Sequence, residues 1–370
     1  MHFAFVLYRY FPHGGLQKDF LRTLHEVLSR GHKVTAYFAL QEAELAENTL
    51  FRIVRVPVTG CSNHAKMLSF GKAVQRLIKE ENFDKVLMFN RLPGGDLYFA
   101  ADDCLASAYR KKYPAWLLKI LPRYRTFLDL EKSVFDNKVS THILALTDKQ
   151  IAAYRECYQT SPERFSLMPA GIDENCRRPE NYAEIRRNIR LQYNIAEDKI
   201  VLIQIAAQFA VKGVDRSIAA LASLPGELRE KCVLLVAGGG ETDKYKEIAI
   251  KCNVGDQVIF TGAVSYIDEG LTAADLMIHP ARKEATGTVI VEALALGVPV
   301  IASDMCGYAA YCSELDKKLV VPEPFAQTIL NETLLAALND LDRLTRLAAG
   351  QINNPEFYRR SGAIADILEN

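Results

Sequence analysis

Glu284-Ala-Thr-Gly287-Thr-Val-Ile-Val-Glu292, continued as Ala293-Leu-Ala-Leu-Gly297-Val-Pro299-Val-Ile-Ala302, decides how the rest of this 370-residue chain is read. A loop with a glycine runs into an apolar helix, the helix closes at Gly297, and a β-branched strand follows. Just upstream, Ala273-Ala-Asp275-Leu-Met-Ile-His279-Pro280 reads as another short apolar strand. Strand, loop, helix and strand in that order make one winding of a parallel α/β sheet. Glu284 then falls in the strand-to-helix loop, and Glu292 a turn or more into the helix. An open α/β sheet offers backbone N–H groups and a positive helix end to an anion at that point. Amides for phosphate beside carboxylates for hydroxyl groups suit a polyhydroxylated, phosphorylated ligand, and a nucleotide sugar is the simplest molecule with both parts. Two glutamates eight apart are commonplace as loop and helix surface; the loop, glycine, helix, Gly-Val-Pro and strand around them make the pair specific.

The same rhythm runs from end to end. Strands are expected near 2–8, 33–38, 52–56, 84–89 and 142–146, with helices near 15–30, 64–81, 122–138 and 147–157. A second series has strands near 199–206, 231–237, 257–261, 275–278, 298–302 and 318–321, and helices near 213–224, 241–252, 266–274, 288–296 and 325–349. A chain of this length exceeds most single cores. The sheet restarts at Lys199-Ile-Val-Leu-Ile-Gln-Ile-Ala206, after a charged helical stretch at 180–194. Two doubly wound, Rossmann-like α/β domains are therefore expected, facing each other across a cleft. The polar passage around Ser161-Pro162 to Arg178-Pro179 is the expected hinge.

Other candidate residues lie where strands meet helices. Tyr10-Phe11-Pro12-His13-Gly14-Gly15 follows the first strand, and paired glycines there permit close backbone approach by a ligand, although such a pair also serves simple chain reversal. Lys212, in Gln208-Phe-Ala-Val-Lys212-Gly213, stands at the mouth of a strand, where a lysine pairs with phosphate as a mobile point charge. Gly238-Gly-Gly240 reads as a plain turn, and no dinucleotide fingerprint of spaced glycines occurs in the right context. Asp102, His64 and His13 are weaker candidates for substrate contact. Asp340-Leu-Asp342 has the form of a metal–diphosphate element, but its amphipathic setting reads as helix surface, and no metal is expected.

Tyr109-Arg-Lys-Lys-Tyr-Pro-Ala-Trp116-Leu-Leu-Lys119-Ile-Leu-Pro-Arg123-Tyr-Arg125 differs in kind. It holds Arg110, Lys111, Lys112, Lys119, Arg123 and Arg125, the chain's only tryptophan, and no acid. Basic residues interleaved with aromatic and aliphatic ones suit an anionic membrane surface; a solvated helix pair is the plainer reading. Lysines and arginines balance acids at 45 each, so net charge gives no sign of a nucleic-acid partner. The eight cysteines form neither a metal-ligand spacing nor a disulfide framework. Met1-His-Phe-Ala-Phe-Val-Leu-Tyr8 lacks a basic leader and a cleavage site, and reads as a first strand rather than a signal peptide. A cytoplasmic location is the expectation.

Taken together, these residues resemble the glycosyltransferase family 4 pattern on a GT-B fold, and within it the lipopolysaccharide-core glucosyltransferases. The likeness rests on the stretches 10–20, 98–102, 146–151, 212–218 and 306–309 and on the two-glutamate motif. It implies a hexosyltransferase that moves glucose from UDP-glucose, with retention, to a heptose of the lipopolysaccharide inner core, peripherally attached to the inner membrane's cytoplasmic face. It implies an acceptor-side domain at 1–168, a nucleotide-sugar domain at 169–349 and a return of 350–370 onto the first domain. By the same likeness Gly14 and Gly15 approach the diphosphate and donor sugar, Lys212 neutralises the leaving diphosphate and Glu284 binds donor hydroxyls. Amides near Gly287, Thr288 and Val289 hold phosphate, Glu292 grips the ribose, and Asp19, Asp102 and His64 lie toward the acceptor. Arg110, Lys111, Lys112, Trp116, Lys119, Arg123 and Arg125 become the membrane contact. The UDP-sugar is a substrate, and no cofactor is implied. The chain departs from the family at Ala207, where many members carry an arginine, so Arg177 or Arg178 is expected to assist Lys212. Thr286 replaces a frequent phenylalanine and leaves the hexose open. A UDP-sugar transferase of the same fold with another hexose donor or another lipid acceptor, or a UDP-sugar epimerase, is the competing reading.

Overall fold

The computed structural model describes residues 1–11, 14–262 and 270–370. The chain divides into two compact units, Met1–Gly171 with Arg359–Asn370, and Ile172–Tyr358. The border thus lies at 171/172 rather than 168/169, and the return begins at Arg359 rather than at 350. The shift has a packing cause. The helix Leu341–Ala349 lies against the helices Ala309–Leu315 and Gln327–Asn339 of the second unit. The loop after it is then tied down there, with Asn353 N donating to Ala295 O at 3.1 Å and Ile172 N donating to Phe357 O at 2.9 Å.

The first unit is built on seven parallel strands: β1 (His2–Tyr10), β2 (Lys33–Gln41), β3 (Phe51–Arg55), β4 (Lys85–Met88), β5 (Leu97–Ala100), β6 (His142–Ala145) and β7 (Phe165–Leu167). Their order is β3-β2-β1-β4-β5-β6-β7. β1 is buried on both faces, as a central parallel strand must be. Phe3, Phe5 and Leu7 enter one core while Ala4 and Val6 enter the other, following the two-residue period of a strand. On the first face the C-terminal helix Arg360–Glu369 inserts Ile364, Ala365 and Leu368 beside Phe20, Leu24 and Val27 of the helix Gly15–Ser29. β5 and β7 are additions to the expected set. β5 is wholly buried between β4 and β6, so its residues are apolar on both faces and show no alternation, and β7 has only three residues.

The second unit has six parallel strands: β8 (Ile200–Ile205), β9 (Cys232–Ala237), β10 (Val258–Gly262), β11 (Leu276–His279), β12 (Val300–Ser303) and β13 (Val320–Val321), ordered β10-β9-β8-β11-β12-β13. The winding direction reverses between β8 and β11, and ligands of such sheets bind beyond the carboxyl ends of the strands at that switch point. The helix expected over 325–349 is two helices, Gln327–Asn339 and Leu341–Ala349, parted at Asp340. Asp340 and Asp342 therefore open the second of these, and Asp340 pairs with Arg343 at 2.6 Å. Of the helix expected near 266–274, residues 266–269 lie outside the described residues, and Leu271–Ala273 is a single 3-10 turn.

Candidate active site

Lys212 and Glu284 meet at the switch point of the second sheet. Lys212 closes the short helix Phe209–Lys212 after β8, and Glu284 lies in the loop after β11. The amine is hydrogen-bonded to Glu284 Oε2. Two glycines allow the loops to approach. Gly213 has φ of +72°, and a Cβ there would stand 2.4 Å from the Pro280 carbonyl oxygen, closer than real Cβ contacts come. Gly287 has φ of +85° and forms the N-cap of the helix Thr288–Ala295. Both conformations suit glycine and strain other residues. Buried Gln204 on β8 donates from Nε2 to the Lys212 carbonyl at 2.6 Å and fixes the loop from beneath. Arg282 joins the two loops from outside: its N–H donates to Val211 O at 2.8 Å, and its guanidinium grips Asp215 at 2.7 and 2.6 Å.

A third group completes the cluster. His279, the last residue of β11, is fully buried, and its Nε2 lies 3.3 Å from the same Glu284 Oε2. Burial by itself would raise the pKa of Glu284. The hydrogen bond with His279 and the charge of Lys212 prevail and carry it down to about 2. For His279 burial lowers the pKa, but Cys306 and Glu284 more than offset it and bring it up to about 9. One carboxylate oxygen is thus shared by the Lys212 amine and the buried His279 ring. Next to it, the first turn of Thr288–Ala295 presents N–H groups that have no partner inside the helix. Glu292 follows one turn later on that helix, half-buried. An ionised carboxylate, an ammonium and a helix N-terminus are thus gathered at the end of one sheet, suited to sugar hydroxyls and a diphosphate.

Arg177 and Arg178 make their contacts elsewhere. Arg177 is paired with Glu174 and stacks over the Tyr358 ring at 4.0 Å. Arg178 stacks on Tyr182 and donates from Nη1 to Leu296 O at 3.0 Å, at the carboxyl end of the helix whose other end faces the site. That placement completes the helix dipole rather than a phosphate contact, which corrects the expectation for Arg178. Gly238-Gly-Gly240, expected as a plain turn, packs tightly under the lysine loop: a Cβ on Gly238 would lie 1.9 Å from Ala206 O, and one on Gly240 would enter the Phe209 ring.

In the first unit Gly14 is the N-cap of the helix Gly15–Ser29, whose first turn carries no acid. Space around Gly15 is open, whereas a Cβ on Gly14 would meet Gln17 and Phe11. Pro12 and His13 lie outside the described residues. Asp19, Asp102 and His64 share no hydrogen bond or ion pair with one another among the described residues. Asp19 is buried between Arg22 at 2.8 Å and Arg360 at 3.0 Å. Asp102 is exposed, with Arg91 Nη1 at 3.5 Å. His64 Nε2 lies 3.2 Å from Ser62 Oγ at the start of the helix Asn63–Lys79.

The basic-aromatic segment forms the helices Leu105–Lys112 and Ala115–Ile120 and the start of Pro122–Phe135. Arg110, Lys111, Lys112, Trp116, Lys119, Arg123 and Arg125 are all exposed, and Trp116 and Ile120 leave 62% and 66% of their surface open. Tyr109, Tyr113 and Tyr124 pack ring against ring beside them, with centroids 4.9–6.1 Å apart. Among the described residues no helix is long and apolar enough to cross a membrane.

Two doubly wound parallel sheets, the second carrying lysine, glutamate and a glycine-capped helix at its switch point, define a glycosyltransferase of the GT-B fold. The model of the family "Glycosyl transferases group 1" matches residues 185–352. Lipopolysaccharide glucosyltransferase WaaG of Escherichia coli (strain K12) is 40% identical over 335 residues, which are 90% of this chain and 89% of that one. The chain belongs to the group 1 glycosyl transferases and, among them, to the family of WaaG. A crystal structure of WaaG superposes with a TM-score of 0.85 at 38% identity, covering 99% of both chains. Anabaena Alr3699/HepE in complex with UDP and glucose shares the fold, with a TM-score of 0.71 at 16% identity, covering 100% of this chain and 99% of that one.

Proposed function

We propose that this chain transfers glucose from UDP-glucose to a heptose of the lipopolysaccharide inner core, with retention of configuration, at the cytoplasmic face of the inner membrane. The observation that carries the reading is the meeting of Lys212 and Glu284 beside the N-terminus of Thr288–Ala295, in a chain 40% identical to a lipopolysaccharide glucosyltransferase. Lys212 and the amides near Gly287, Thr288 and Val289 take the diphosphate, Glu284 accepts from hexose hydroxyls and Glu292 from the ribose. Gly14 and Gly15 approach the donor, and Asp19, Asp102 and His64 serve the acceptor; Arg177, held by Glu174 and Tyr358, is left out of the phosphate contacts.

As UDP departs, negative charge grows on the β-phosphate, where fixed positive groups stabilise the transition state more than the ground state. Glu284 shares its charge with two cations, which suits hydrogen-bond acceptance better than nucleophilic attack. Transfer on the face from which UDP leaves, with the departing phosphate taking the acceptor's proton, needs no second carboxylate. Charge neutralisation falls to Lys212 and the amides, without a metal ion. The test is to incubate the protein with a panel of UDP-hexoses and heptosylated core lipopolysaccharide, with and without EDTA, and to weigh the products. Glucose addition from UDP-glucose in both conditions is expected. An epimerised UDP-sugar formed without acceptor would overturn the reading.

The membrane part rests on the exposed basic residues around Trp116. Each basic residue near an anionic surface contributes roughly 1 kcal/mol. Changing Lys111, Lys112 and Arg123 together to glutamate is expected to weaken binding to phosphatidylglycerol vesicles at least a hundred-fold by sedimentation, with transfer to a soluble acceptor retained. Unchanged vesicle binding would remove the membrane role.

A further inference from the structure

We propose that His279 is a positioning residue of the transfer site, holding the Glu284 carboxylate in its donor-binding pose while Lys212 turns to the diphosphate; this rests on the nucleotide-sugar reading given above. His279 ends β11, whose other residues Leu276, Met277 and Ile278 are apolar and fully buried. A polar ring there is costly unless it is hydrogen-bonded, and its Nε2 is directed to Glu284 Oε2 at 3.3 Å. Lys212 Nζ reaches the same oxygen, and neither cation engages Oε1, which is left for hexose hydroxyls. The two cations differ in freedom. Lysine is a point charge on a flexible stem, and a diphosphate gaining charge competes with Glu284 for it. The imidazole is locked in the sheet and cannot follow. When Lys212 swings away, His279 is the remaining positive partner that keeps Glu284 from recoiling from the phosphate.

The titratable groups against the ring are Glu284, Lys212 beyond it, and Cys306, whose thiol lies 3.9 Å from the His279 carbonyl oxygen on the turn after β12. Burial opposes protonation of the ring, and Cys306 with Glu284 brings its pKa to about 9. The grip is thus complete below the ordinary histidine value of 6.5 and is lost as pH rises through about 9. Glu284, at about 2, stays ionised throughout that window.

The experiment compares His279→Leu and His279→Gln with the wild type in steady-state transfer and in UDP inhibition. His279→Leu is expected to lower kcat about a hundred-fold, the scale of a misplaced reacting group. UDP has no hexose for Glu284 to hold, so its inhibition constant should move less than about three-fold. His279→Gln keeps a donor, should recover most of the rate, and should lose the alkaline fall near pH 9. A wild-type kcat in His279→Leu overturns the proposal, and so does UDP affinity falling in parallel with kcat, which marks general collapse. Should the wild type transfer no sugar at all, the functional reading fails, yet the positioning contact is still judged by histidine NMR. There Glu284→Gln must bring the His279 titration down toward 6.5, and an unmoved titration overturns the contact.

Discussion

Lys212→Ala is expected to lower kcat about a thousand-fold while leaving the fold intact. One unit pair at roughly 4 Å and an effective dielectric of about 20 amounts to about 4 kcal/mol, and each 1.4 kcal/mol or so is a factor of ten in rate. A helix N-terminus contributes about 0.3–2 kcal/mol, so the lysine outweighs any single amide of Thr288–Ala295. Ala207 strengthens this dependence, because no arginine stands at that position to share the load. Stability should change little, since Glu284 keeps His279 as a partner. Initial rates with labelled UDP-glucose and a thermal melt decide it. Turnover within ten-fold of wild type would remove the electrostatic account.

Glu131→Ala should have the largest effect on stability, through the first unit. Glu131 is completely buried on the helix Pro122–Phe135 and serves several partners at once. Its two oxygens accept from Leu105 N at 2.8 Å and Ala106 N at 2.9 Å, capping the helix Leu105–Lys112, and Tyr158 Oη donates to it at 2.7 Å. Arg91 Nε lies 3.1 Å away, and that arginine also donates to the Asp103 carbonyl at 2.7 Å. Removing one member of a buried ion pair leaves a charge unpaired and costs about 3–5 kcal/mol, or roughly 10 °C of Tm for a unit of this size. The first turn of Leu105–Lys112 loses its cap in the same step, so amide exchange there should accelerate. Calorimetry showing an unchanged first transition would contradict the assignment. Because Arg91 also faces Asp102, the same change is expected to loosen the loop at Asp102 and the base of the basic-aromatic helices together.

What could be read in advance was what is written locally. Lys212 beside Gly213, and Glu284 beside Gly287, sit in windows where strand, turn and helix signals follow one another within a few residues. Their convergence follows once the sheet order is known, because the loops after β8 and β11 are neighbours at a switch point. His279 had no such signal. It closes an apolar strand, and a lone histidine there reads as core; only the fold shows its ring on Glu284. Glu131 is similar, since Leu130-Glu131-Lys132 looks like helix surface while its partners lie about 25 residues away along the chain at Leu105 and Ala106. Asp19 meets Arg360 across 341 residues, beyond any local pattern. Arg178 misled for a related reason: its place in the sequence says nothing about which end of Thr288–Ala295 a guanidinium will reach. β7 has only three residues, and β5 is buried on both faces and shows no alternation.

A crystal structure of the protein soaked with UDP-glucose tests the central claim most directly. The account predicts the diphosphate against Lys212 Nζ and the first amides of Thr288–Ala295, the glucosyl hydroxyls on Glu284 with His279 still behind it, and the ribose on Glu292. A donor bound with its diphosphate away from Lys212, or its sugar out of reach of Glu284, would contradict it.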